Sequence, residues 1–225
     1  MTSSSDHTLI HLLAQNHIWA DDMRAQDADF FARLVRQQAP EYLWIGCADS
    51  RVPANQIIGL APGDIFVHRN VANLVVHTDL NCLSVLQYAV EVLKVKHILV
   101  VGHYGCGGVF AAMQNQKLGL INNWLRHVQD VGQKYEPHLA AIMEQSARAD
   151  RLCELNVIEQ VVNVCQTTVV ESAWERGQDI TVHGWIFRLT DGIIRDLSMS
   201  VHETAQINPR RAAAVERLTH ELKLV

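Results

Sequence analysis

Three apolar runs of strand length constrain this chain more than any other feature: Tyr42–Cys47 (YLWIGC), Asp64–His68 (DIFVH) and His97–Gly102 (HILVVG). Each gives way to Gly, Pro, Asn or polar residues, the punctuation that ends a strand. Between the second and third, Leu83, Leu86, Val90 and Leu93 recur at helical spacing within Leu80–Lys94. Strands separated by helical or turn-rich connections predict an α/β domain with a parallel sheet.

The flanking sequence fits that frame. Up to about Gln38 the pattern predicts two helices, one around Leu9, Leu12 and Leu13, the other around Phe30, Phe31, Leu34 and Val35, stopped by Pro40. After the third strand the chain reads as helical to about Arg176. Ile158, Val161, Val162, Cys165 and Val169 form one amphipathic stripe, and Gly177 ends it. ITVHGWIFRL, Asp191-Gly192 and IIRDLSM then predict a strand, a turn and a partner strand, so the sheet gains an antiparallel edge. From about Pro209 the pattern returns to helix. No repeat or linker divides the 225 residues, so residues 1–225 are expected to form a single domain.

Composition limits the functions open to such a domain. With 48% apolar residues the chain can bury a substantial core, whereas charged residues reach only 19%, against about 25% in typical soluble domains. A subunit interface is the simplest cover for the missing charge. A net charge of −5 without basic clusters argues against nucleic acid or an anionic membrane as partner. No apolar run reaches the roughly 18 residues of a membrane span, and the N-terminus lacks a secretory pattern, so a cytoplasmic location is expected. The five cysteines, an odd number without framework spacing, predict reduced thiols or metal ligands.

Reactive residues concentrate just past two of the strands, in Gly46-Cys47-Ala48-Asp49-Ser50-Arg51 and in Gly102-His103-Tyr104-Gly105-Cys106-Gly107-Gly108. Functional crevices in open parallel sheets lie at the C-terminal ends of strands. If the first and third strands are neighbours, Cys47, His103 and Cys106 converge as two thiolates and an imidazole, a set that suits Zn²⁺ and leaves a fourth position open. Gly107 and Gly108 would begin a helix whose free N–H groups favour the Cys106 thiolate and can receive an anionic oxygen. Asp49 and Arg51, two apart in a turn, can form a forked ion pair. Asp49 and a water then compete for the fourth zinc position, with Arg51 deciding which wins. Two thiolates also feed charge to the metal, so its water should ionise above the pKa of about 7 seen with three histidines, and activity should rise into alkaline pH.

CADSRVP (Cys47–Pro53), HRNVAN (His68–Asn73) and GHYGCGG (Gly102–Gly108), in that order and spacing, resemble the β-class carbonic anhydrases. NCLSVLQYAV, GLINNW and SAWERGQ extend the likeness over nearly the whole chain and resemble the proteobacterial branch. The resemblance implies one Zn²⁺ per subunit on Cys47, His103 and Cys106, and reversible hydration of CO₂ to bicarbonate and a proton by zinc-bound hydroxide. Asp49 and Arg51 match the family's dyad, in which the Asp orients the hydroxide and in one subgroup becomes the fourth ligand at lower pH. The family fold is an αβα domain with a mostly parallel sheet. Residues 1–38 would be a helical arm wrapping a neighbouring subunit in a homodimer, two of which often form a homotetramer. The same subgroup has a non-catalytic bicarbonate pocket, which Trp44 and Arg69 match. Phe187 stands where that pocket has Tyr, so one hydroxyl donor is missing.

Two other readings share these residues. One is CS₂ or COS hydrolysis on the same fold and metal; the other is a non-enzymatic structural zinc or a Cys47–Cys106 thiol switch, which leaves Asp49 and Arg51 without a role. Cys82, Cys153 and Cys165 read as packed thiols, His68, His97 and His183 as structural groups, and Tyr104 as a turn aromatic at the edge of the site.

Overall fold

The computed structural model describes residues 9–36 and 38–221. By contacts the chain divides into a unit up to Gln38 and a unit from Ala39 onward. The first holds α1 (Ile10–Gln26) and α2 (Phe30–Arg36), and neither helix buries a side chain. Trp19, Phe30 and Phe31 form an edge-to-face aromatic cluster, while Leu12, Leu13 and Ile18 stay exposed. Residues 1–8 and 37 of the expected arm lie outside the described residues.

The second unit is built on a five-stranded sheet of β1 (Tyr42–Cys47), β2 (Ile65–Asn70), β3 (His97–His103), β4 (Thr181–Arg188) and β5 (Ile193–Val201), in the order β2-β1-β3-β4-β5. The first four strands are parallel, and β5 pairs antiparallel with β4, with an irregularity between Gly184 and Trp185. Central β1 is buried on both faces, with Leu43, Trp44 and Ile45 fully inaccessible. The resulting fold is the expected α/β class with a mostly parallel sheet and one antiparallel edge pair.

Leu43, Ile45, Ile98, Val100, Val182 and Ile186 point to one side, the main core. The helices α4 (Leu80–Gln87), α5 (Gly107–Met113), α6 (Ile121–Lys134), α8 (Gln145–Cys165), α9 (Thr168–Glu175) and α10 (Ile207–Glu221) all contribute buried residues to it, and so does Leu139 of the short α7 (Glu136–Ala140). On the other side Trp44, Leu99, Val101 and Phe187 are met by Val52 and by Ala54 of one-turn α3 (Ala54–Ile57). Within the second unit that face has no long helix over it, and Tyr42, Trp185 and Ile194 at its margin are only partly buried.

Several boundaries differ from the sequence reading for identifiable reasons. The stripe predicted to run through Val169 is broken because α8 stops at Cys165, and Thr167 starts α9 by accepting the Val170 N–H at 3.3 Å. Gly177, at φ +71, closes that segment as expected. After α4 the helix widens into a π-type turn over Tyr88–Leu93 before Lys94 adopts a left-handed conformation. The last helix starts at Ile207 rather than about Pro209, since buried Ile207 anchors its first turn.

Helix α8 lies against β3 and β4 because two glycines admit it. A Cβ on Gly102 would sit 2.5 Å from Val157 Cγ2, and one on Gly184 would sit 3.0 Å from Val161 Cγ2. Gly102→Ala should therefore lower stability by about 1–3 kcal/mol. Thermal melts check this, and adding Val157→Ala should recover part of the loss if the clash is its cause.

Candidate metal centre

Adjacent parallel strands end side by side, and β1 and β3 carry Cys47 and His103 at their C-terminal ends. Three residues after His103, Cys106 caps the start of α5, where the helix dipole favours a thiolate. One donor atom from each of these residues lies within 4.8 Å of the others, and the two sulfurs are 3.9 Å apart. All three side chains are buried.

Imidazole geometry fixes which nitrogen faces the sulfurs. His103 Nδ1 lies 3.0 Å from the Tyr104 carbonyl oxygen, which can only accept, so Nδ1 carries the proton and Nε2 the lone pair. Nε2 is buried without a hydrogen-bond partner. Such an orphan atom beside two sulfurs is what a tetrahedral N/S site requires of its histidine, so these residues fit a zinc ion. Without a cation, two thiolates this close would repel. A hydrogen bond from Cys106, with the backbone N–H groups of Asp49 and Ala72 nearby, pushes Cys47 downward. The neighbouring Cys47 and then burial push Cys106 upward.

Asp49 closes the fourth side. Its carboxylate accepts from Arg51 Nε at 3.0 Å, Arg51 Nη2 at 2.7 Å and the Arg51 backbone N–H at 2.9 Å. The Arg51 guanidinium holds its pKa well below the usual carboxylate range despite partial burial. Oδ2 reaches within 3.8 Å of His103 Nε2, whereas the Arg51 side chain is 58% exposed, so the pair spans from metal centre to solvent.

The remaining expected site residues separate into distinct roles. Arg69 donates Nε to the Cys47 carbonyl at 2.8 Å and Nη2 to the Asp49 carbonyl, and so braces the loop that carries both residues. Trp44 and Phe187 share one apolar cluster, and the Trp44 Nε1 is buried without a partner. Gly107 fronts open space, but a Cβ on Gly108 would come 2.7 Å from Val71 Cγ1, which makes Gly108 a packing glycine. Cys82, Cys153 and Cys165 are buried thiols whose pKa values burial raises. His97 and His183 bond to each other at 3.1 Å, and His183 bonds to Ser200 at 3.0 Å. His68, Asp79 and Cys82 form a second close group, but two of the three are already engaged. His68 Nε2 pairs with Asn70 Nδ2, and Asp79 caps α4 through the Asn81 N–H.

Some supporting residues carried no signal strong enough to single them out. Asn156 donates to the Ala72 carbonyl at 2.9 Å, Gln160 accepts from the Val75 N–H at 2.8 Å, and Asn163 donates to the Val75 carbonyl at 3.0 Å. These contacts hold the loop in which Ala72 and Asn73 adopt left-handed conformations next to Cys47. Asn156 and Gln160, four apart on α8, share one polar face away from the apolar stripe, and that spacing was the visible clue.

A family model described as carbonic anhydrase matches residues 42–194. A curated carbonic anhydrase of Emericella nidulans is 47% identical over 199 residues, covering 88% of this chain and 87% of that protein. The solved Coccomyxa β-carbonic anhydrase in complex with acetazolamide is 42% identical, with coverage of 89% and 90% and a TM-score of 0.85. One of two tetrameric β-carbonic anhydrases from the filamentous ascomycete Sordaria macrospora is 39% identical, with coverage of 87% and 100% and a TM-score of 0.82. Two of these three relatives are fungal, so they do not support the expected proteobacterial branch. Metal analysis checks the donor set: the purified chain should carry one zinc, and Cys106→Ala should lose most of it while keeping its far-ultraviolet circular dichroism.

Proposed function

Since the chain belongs to the β-class carbonic anhydrase family, we propose that it holds one Zn²⁺ per subunit on Cys47 Sγ, His103 Nε2 and Cys106 Sγ and interconverts CO₂ and bicarbonate. The observation that carries this reading is the partnerless, buried His103 Nε2 facing two cysteine sulfurs, with an Arg-held carboxylate beside it. Bound there, zinc supplies the Lewis acidity that ionises water at a usable pH.

The protein's own groups set the rest of the chemistry. Asp49, kept anionic by Arg51, can only accept hydrogen bonds, so it would hold and orient a hydroxyl donor brought to the open side of the site. Arg51 also decides where the Asp49 carboxylate sits. While both guanidinium bonds hold, the carboxylate is tied to Arg51; if they broke, it would be free to turn toward the three donors and compete for an ion bound there. Gly107 leaves room beside the site for a small substrate. Trp44, Arg69 and Phe187 give little support to a second bicarbonate pocket, because Arg69 is engaged by carbonyls and Phe187 brings no hydroxyl.

Assembly belongs to the same reading. The exposed apolar residues of α1 and the thinly covered sheet face suit burial by a second copy, as a homodimer or a pair of dimers, and a tetrameric relative supports it. Among the described residues no helix is long and apolar enough to cross a membrane. Five free, buried cysteines fit a reducing, cytoplasmic setting.

Stopped-flow CO₂ hydration tests the proposal. The rate should rise from pH 7 to pH 9, vanish when zinc is removed and return when it is restored; hydration independent of zinc contradicts it. Protons compete with zinc for thiolate and imidazole, so acidification should also release the metal. Arg51→Ala should reduce hydration by about 10–100-fold at neutral pH and less at alkaline pH, where hydroxide competes better with the freed carboxylate. A uniform loss at all pH values would contradict the gating role.

A further inference from the structure

Resting on the zinc reading above, we propose that Tyr104 and Glu154 are positioning residues that aim His103 at the metal through the Tyr104 carbonyl. That carbonyl holds the His103 Nδ1 proton at 3.0 Å and thereby turns Nε2 toward the sulfurs. The peptide that carries it needs restraint, because Gly105 follows at φ +67 in a conformation few other residues tolerate.

The restraint comes from α8 and β4. The Tyr104 hydroxyl donates to Glu154 Oε1 at 2.5 Å, and both residues are buried. Arg151 Nε lies 3.2 Å from Glu154 Oε2, so the carboxylate is paired as well as hydrogen-bonded. The Arg188 guanidinium covers the ring at 4.1 Å, the Tyr104 N–H donates to the Phe187 carbonyl at 3.0 Å, and the Gly105 N–H donates to Asp150 at 3.4 Å. Burying a carboxylate is costly, and here it buys a fixed side chain on the residue directly after a zinc ligand. A hydrogen-bonded partner behind a metal-bound histidine commonly changes metal affinity by about 10–100-fold.

The molecule also supplies a control. On the same helix Glu159 accepts from the Tyr135 hydroxyl in a second buried Tyr–Glu pair, one that touches no zinc ligand. The test is the rate at which zinc passes from holoprotein to an excess of chelator, read beside thermal melts and the visible spectrum of the Co²⁺-substituted protein. Tyr104→Phe should release zinc about 10–100-fold faster and shift the cobalt bands. Glu154→Gln, which keeps an acceptor oxygen and the side-chain shape, should fall between Tyr104→Phe and wild type. Tyr135→Phe should lose stability yet release zinc at the wild-type rate. Wild-type release from the Tyr104 and Glu154 variants overturns the inference, even if they melt lower; if only Glu154→Gln folds, its rate alone decides. A wild-type chain that takes up no zinc would instead overturn the metal reading, and this inference with it.

Discussion

Two cysteine sulfurs held 3.9 Å apart inside a protein cannot both be thiolates unless a cation lies beside them, and this constraint orders much of the surrounding structure. A second thiolate cannot form beside the first without positive charge, as the opposed shifts of Cys47 and Cys106 indicate. A divalent ion resolves the conflict for both sulfurs at once and leaves two thiolates, a neutral imidazole and zinc with no net charge. On the proposed zinc reading, one hydroxide or one carboxylate beside that centre would carry the whole negative charge, which is why the Asp49–Arg51 pair is proposed as its control point.

The sheet brings the donors together, and α8 holds the loops around them. Cys47 and His103 meet because β1 and β3 are parallel neighbours whose ends coincide. One adjoining loop has unfavourable backbone, with Ala72 and Asn73 at positive φ, and the other turns at Gly105, φ +67. From different sides of α8, Glu154 satisfies the Tyr104 hydroxyl and Asn156 the Ala72 carbonyl. Strained backbone near a reactive centre persists only where its surroundings over-determine it, and the buried polar side chains of α8 provide that restraint.

The sequence made the parts nearest the chemistry legible. YLWIGC coincides with β1, and HILVVG falls one residue short of β3, because parallel central strands need unbroken apolar runs. The Cys47, His103 and Cys106 set was readable because its members border glycine turns at strand ends. Asp49 with Arg51 was readable as a forked pair for the same local reason. What escaped depended on contacts distant along the chain. Asn156 and Gln160 lie on the side of α8 away from the apolar stripe, where the pattern predicts exposure, yet both are buried, and their partners lie 84 and 85 residues away. Arg69, matched to an anion pocket by the resemblance, bonds carbonyls 20 and 22 residues earlier, contacts that leave no periodic trace. The break between Cys165 and Thr168 was missed because apolar spacing continues across a cap made by a single threonine hydroxyl.

Everything in this account turns on which atoms hold the metal. X-ray absorption at the zinc K-edge of the purified protein reads those atoms directly. Two sulfurs at about 2.3 Å and two lighter donors at about 2.0–2.1 Å are the result predicted for Cys47, Cys106, His103 and one oxygen. A first shell with one sulfur or none, or with four, would contradict it.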